Sequence, residues 1–126
     1  AADGNSSHFN KVIKETIVFE EYRKYFSGFQ WPWYMPTVDE YENILKDFAF
    51  SELNVWEDNE DRFFPDKEAV IWWVDQPQIV PFLENIPEDK KELFREIVIE
   101  QVFKETLQEN GRYFEEFRRM NVLARK

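Results

Sequence analysis

The chain has 126 residues and a formal net charge of −10, with 26 acidic against 16 basic side chains, a sign that opposes nucleic-acid backbones and anionic membrane surfaces. It has no cysteine and a single histidine, His8, which excludes disulfides, thiol chemistry, cysteine–zinc sites and a multi-histidine metal centre. No apolar run reaches membrane-spanning length and the N-terminus is unlike a secretory signal, so a soluble, cytoplasmic protein is expected. An acidic substrate stays open, because the field inside a pocket can oppose the net charge. Aromatic residues make up 18% of the chain, with 13 Phe, 5 Tyr and 5 Trp, enough for a bulky core, an aromatic pocket or an interface.

Residues 1–7 are rich in turn formers, and Ser6 or Ser7 can cap the first helix. Phe9, Ile13 and Ile17, with Val12 beside them, form one apolar stripe, and the pattern predicts a helix continuing through Tyr22 and Phe26 to Gly28. Trp31-Pro32-Trp33-Tyr34-Met35-Pro36 reads as an aromatic loop, because each proline holds the preceding residue extended. Thr37-x-x-Glu40 is a capping box opening a helix that carries Val38, Tyr41, Ile44 and Leu45 and ends near Asp47.

Strand alternation comes next, over about 51–57, with Leu53 and Val55 on one face and Glu52, Asn54 and Trp56 on the other. The acidic run Glu57-Asp58-Asn59-Glu60-Asp61 reads as an exposed turn, and it lacks the glycine and terminal glutamate spacing of a calcium loop. Asp66 can cap a helix through Asp75, and Pro77 and Pro81 break the chain beyond it. Pro87 suits a first helical turn, and Leu93, Phe94, Ile97, Val98, Gln101 and Val102 mark a long helix ended by Gly111. A last strand spans about 114–125. Two strands alone make a marginal sheet and need partners.

In order these pieces are a loop, a helix, an aromatic loop, a capped helix, a strand, a helical insertion and a final strand. The chain resembles the C-terminal half of class I S-adenosylmethionine-dependent methyltransferases, in particular the trans-aconitate methyltransferase-like group. Asp3-Gly4-Asn5 followed by Phe9 is similar to the loop and helix after that family's fifth strand. Tyr34-x-Pro36 with Tyr41, Leu45 and Phe50 resembles its Y-x-P…Y…L…G-F segment, with Ala49 where a glycine is usual. Ala69-Val70-Ile71-Trp72-Trp73-Val74 and then Pro81-Phe82-Leu83 resemble its W-V…G-L-R-P-Y-L segment, and Val122-Leu123-Ala124-Arg125 its closing strand.

The resemblance implies an α/β fold, α+β as a fragment. Residues 1–126 would be a single C-terminal subdomain of a Rossmann-like methyltransferase, mostly helical, with two antiparallel edge strands at about 51–57 and 114–125. The ~30-residue βαβ cofactor unit would precede it. The three glycines, Gly4, Gly28 and Gly111, lie far apart and form no cofactor turn. S-adenosylmethionine is therefore expected in the full-length enzyme and not in this chain alone, which should be inactive without its N-terminal half. The family's arginine in G-L-R-P falls at Val80, and a guanidinium is the natural fork for a substrate carboxylate. Its absence weakens the case for a polycarboxylate.

The substrate-binding residues expected are Trp31, Trp33 and Tyr34 from the aromatic loop, with Trp73 and Phe82 from the family segments. Adjacent Trp72 and Trp73 project about 100° apart on a helix, so one packs inward while the other faces a cleft or partner. His8 has no evident partner in the sequence. Arg23, Arg95, Arg112, Arg118 and Arg119 suit solvated surface or ion pairing. No metal ligands are expected and no catalytic residue is assigned, since methyl transfer to an anionic carboxylate oxygen needs positioning and desolvation more than acid–base help. The expected partners are the N-terminal half, a small-molecule substrate and, through open strand edges, a second copy in a homo-dimer. The alternative is a stand-alone, non-catalytic domain that binds a ligand or a protein.

Overall fold

Two stretches far apart in sequence form the β-part of the molecule. The computed structural model describes residues 1–126, with the side chain of Pro77 outside the described residues. In it β1 (Glu52–Asn59) runs antiparallel to β4 (Arg118–Arg125), with Val55 opposite Val122 and Glu52 opposite Arg125. A shorter pair, β2 (Arg62–Phe64) with β3 (Tyr113–Glu115), continues the ribbon. At the break the Glu60 N–H donates to the Phe117 carbonyl at 2.7 Å, and the Phe117 N–H donates to Asp61 Oδ1 at 3.3 Å.

The expected alternation holds in β1, where Val55 is buried and Trp56 exposed. The acidic run is not a turn. Glu57, Asp58 and Asn59 extend β1 opposite Met120, Arg119 and Arg118. Asn121 Nδ2 donates to Asp58 Oδ2 at 2.7 Å, Arg118 lies 3.5 Å from Glu57, and Arg119 lies 3.2 Å from Glu60. Opposite charges across the ladder make this acidic stretch compatible with a strand.

The helical layer is built on α1 (Ser7–Thr16), α2 (Val38–Leu45), α3 (Lys67–Trp73), α4 (Val80–Leu83) and α5 (Glu88–Thr106). Phe9, Val12 and Ile13 of α1 and Phe94, Val98 and Val102 of α5 are buried in one cluster with Val70, Val74, Ile79 and Phe82. The whole is a mixed helix-and-sheet arrangement with two small antiparallel sheets.

Several helix limits differ from expectation, each for a local reason. The stripe through Tyr22 and Phe26 is not one helix, because α1 stops at Thr16. The Thr16 hydroxyl turns back to the Val12 carbonyl at 2.7 Å, and Phe19 N–H bonds to the Thr16 carbonyl in a turn. A separate 3-10 turn, Arg23–Phe26, restores the apolar contact. It brings Tyr22 edge-on to Phe94 at 5.0 Å and Phe26 parallel to it at 6.0 Å. α5 likewise ends at Thr106 rather than Gly111, with Leu107 already extended and bridged to Tyr113. Gly111, at φ 81°, serves the turn into β3.

The caps divide in the same way. Thr37 Oγ1 accepts from Glu40 N–H at 3.2 Å and Asp66 Oδ1 from Ala69 N–H at 2.9 Å, as the sequence predicts. The helix opened by Asp66 does run through Asp75, widening after Trp73 into a π-turn over Val74–Gln78 that passes the expected break at Pro77. α2 stops at Leu45, two residues short of Asp47. Pro87 is the residue before α5 rather than its first. Neither Ser6 nor Ser7 caps α1, a role that falls to a residue at the other end of the chain.

Candidate functional site

The aromatic loop and the N-terminal loop approach each other over the polar face of α1. Asp3 N–H donates to the Pro36 carbonyl at 3.0 Å, and Asn10 Nδ2 donates to the Asn5 carbonyl at 2.9 Å and lies 3.7 Å from Met35 Sδ. Between them opens a cleft of about 630 Å³. Asp3, Gly4, Asn5 and Ser7 form one side, Asn10, Lys11, Lys14 and Glu15 the floor, and Trp31, Trp33 and Met35 the aromatic wall. Gly4 suits this position because its φ is 89°, a conformation that strains other residues; a Cβ there would also press on the Arg118 side chain at 3.1 Å.

The wall is rigid because it rests on the core. Trp31 and Trp33 meet edge to face at 5.8 Å, and Phe82 lies beneath both at 5.3 and 5.6 Å. Phe9 backs Trp33 at 6.4 Å. Lys14 Nζ stands 5.1 Å from the Trp31 ring centroid. Lys11 Nζ is 2.9 Å from Glu105 Oε1, and that hydrogen bond and charge hold its ammonium pKa above the ordinary lysine value. Asn10 Oδ1 is buried and has no hydrogen-bond partner among the described residues.

A second polar cluster sits at the start of α1. Glu115, fully buried at the end of β3, accepts from the backbone N–H groups of His8 at 3.1 Å and Phe9 at 2.9 Å. Its Oε1 also accepts from Glu116 N–H at 2.8 Å and lies 2.9 Å from His8 Nδ1. Oε1 takes hydrogen bonds from two backbone N–H groups as well, so in this contact His8 Nδ1 is assigned as the donor. Ser7 Oγ donates to Glu116 Oε2 at 2.5 Å. Two carboxylates thus meet the positive end of α1.

Of the residues expected to bind substrate, Trp31 and Trp33 share the cleft. Tyr34 does not join them. It is 62% exposed and borders a smaller hollow of about 260 Å³ with Pro36, Tyr41, Met120 and Val122. Trp73 is half-buried and packs against the core, 5.8 Å from Phe9, 5.4 Å from Phe64 and 5.6 Å from Phe117. Phe82 has no exposed surface, and its place is under the wall. Trp72 is the outward member of its pair, 67% exposed.

Among the arginines, Arg95 grips Asp75 with two bonds of 2.8 Å, which raise its pKa further. Arg118 and Arg119 pair with Glu57 and Glu60, as surface ion pairing suggests. The α1 side of the cleft is absent from the sequence-based expectation. Ser7, Lys11 and Lys14 are spaced at i, i+4 and i+7, which puts them on one polar face, and that spacing was the available signal.

Among the described residues, no group of three or more His, Cys, Asp or Glu side chains could hold a metal ion. No helix among them is long and apolar enough to cross a membrane. No protein-family model matches the sequence, and comparison with curated proteins finds no match. The arrangement suits binding: an aromatic wall, a polar floor with one ammonium that makes no ion pair among the described residues, and a neighbouring carboxylate, Glu115, held in place by backbone donors.

Proposed function

We propose that this chain is the C-terminal, substrate-recognising portion of an S-adenosylmethionine-dependent small-molecule methyltransferase, with a carboxylate oxygen as the acceptor. The observation that carries the reading is the β1–β4 pairing. The resemblance implies that the strand after the aromatic loop and the closing strand lie antiparallel across a helical insertion, and Glu52–Asn59 and Arg118–Arg125 pair in that sense. The cleft adds support, because its wall is the aromatic loop that the resemblance assigns to substrate. Trp31 and Trp33 would exclude water from a reacting carboxylate and sulfonium, and the loop's attachment to Phe82 would hold them in place.

On this reading the cofactor is bound by an N-terminal half, and the chain by itself neither binds S-adenosylmethionine nor turns over. The carbonyl of Arg118 points away from β1 and accepts from Ala2 N–H at 3.0 Å. The Arg118 N–H on the same edge donates to Asn5 Oδ1 at 2.9 Å; beyond these two bonds the outer edge of β4 is free among the described residues, and such an edge seeks a further strand. In the full-length enzyme that strand would come from the N-terminal half, and in the isolated chain from a second copy.

Intact-mass measurement of the natural gene product tests the proposal. A polypeptide far heavier than the 15.5 kDa chain, with a glycine-rich strand-to-helix turn upstream, is expected. A product of 15.5 kDa would overturn it in favour of a stand-alone binding domain.

A further inference from the structure

The geometry points to Lys14 as the anion anchor of the cleft, and to a flat, apolar monocarboxylate as the ligand. Taking that ligand as the methyl acceptor rests on the methyltransferase reading. Lys11 and Lys14 lie one turn apart on α1 and both reach the cleft, but they are not equivalent. Lys11 is matched by Glu105 at 2.9 Å. Lys14 makes no ion pair among the described residues, and its ammonium stands over Trp31 at 5.1 Å. A cation–π contact parks the charge at the aromatic wall without neutralising it. A ligand whose flat body lies along Trp33, beside the Trp31 face that Lys14 covers, therefore brings its acid group to Lys14 Nζ.

The rim sets how many charges that ligand carries. Asp3 and Glu15 also line the cleft, and neither makes an ion pair among the described residues. A second or third carboxylate on the ligand would meet them unfavourably. A ligand cation meets a different obstacle, because Lys14 already occupies the Trp31 face that would receive it. Val80, where the resembling family carries its arginine, is not among the residues lining this cleft. The cation is thus supplied by α1 instead of α4. An ammonium is a point charge rather than a planar fork, which suits one carboxylate and gives little grip on a spread of them.

Calorimetric titration of the chain with four probes tests this: trans-cinnamate, its neutral amide, cinnamylamine and trans-aconitate. Saturable binding of cinnamate is expected, with the amide about tenfold weaker and the amine and tricarboxylate weaker still. Lys14→Gln should bring cinnamate down to the level of the amide, Lys14→Arg should keep most of the difference, and Trp72→Ala should change nothing. Equal binding of acid and amide, preference for the amine or the tricarboxylate, an unchanged ratio in Lys14→Gln, or no saturable binding of any probe would overturn the inference. A methyl-transfer assay on the natural polypeptide separates the two proposals. Lys14-dependent cinnamate binding without any transfer overturns the methyltransferase reading alone. Transfer to an acceptor that Lys14→Gln leaves untouched overturns the anchor alone.

Discussion

Glu115 Oε1 lies 2.9 Å from His8 Nδ1, and the same carboxylate accepts two first-turn N–H groups of α1, those of His8 and Phe9. One buried side chain thereby closes the start of the first helix from a position 107 residues away. It also fixes the imidazole and joins β3 to the floor of the cleft.

Removing that carboxylate should be costly. Glu115→Ala leaves a buried donor at Phe9 and part-buried donors at His8 and Glu116 without an acceptor, and a loss of about 3 kcal/mol is expected in urea unfolding. His8→Ala removes one part-exposed partner and should cost about 1 kcal/mol. Equal, small effects of both substitutions would show that the carboxylate does not cap α1.

The aromatic wall gives a contrast between neighbours in the same segment of chain. Phe82→Ala removes the support under Trp31 and Trp33 and should cost about 4 kcal/mol, with a red shift of tryptophan emission as the wall loosens. Trp72→Ala, on the outer surface, should stay within about 0.5 kcal/mol.

These contrasts mark the limit of what could be read from residues alone. The β1 alternation, the Thr37 and Asp66 caps and the inward–outward split of Trp72 and Trp73 are legible, because each is set by neighbours within four residues. The α1 cap is not, because Glu115 has no local relation to His8. The end of α1 misleads for the opposite reason. Tyr22 and Phe26 keep a helical spacing while reaching the core from separate turns, so periodicity survives where the helix does not. The cleft is half legible. Its aromatic wall stands out in Trp31-Pro32-Trp33, but the lysines of α1 gain meaning only once the loop is folded over them.

Alkaline pH should act through Tyr22. Burial first, and then the charge of Glu21, raise its hydroxyl pKa above the ordinary value of 10.0. The folded state therefore holds that proton more tightly than the unfolded state. The stabilising contribution is complete below about pH 10 and is lost as the pH rises through the higher folded value. Tyr22→Phe keeps the ring against Phe94 and should flatten the fall in stability above pH 10, as followed by thermal melts. An identical alkaline fall in both proteins would assign the effect to other groups.

The open edge of β4 predicts self-association of the isolated chain. Light scattering should give twice the 15.5 kDa chain mass, and a proline placed at Val122 should reduce it to the monomer. A monodisperse monomer before any substitution would contradict an exposed edge in need of a partner.

The central claim is tested most directly by calorimetric titration of S-adenosylmethionine into two samples, the 126-residue chain and the natural gene product that contains it. The account predicts no heat of binding with the chain and saturable, one-to-one binding with the natural product. Binding by the chain itself, or none by a longer natural product, would contradict the claim that these residues are the substrate-recognising portion of a methyltransferase.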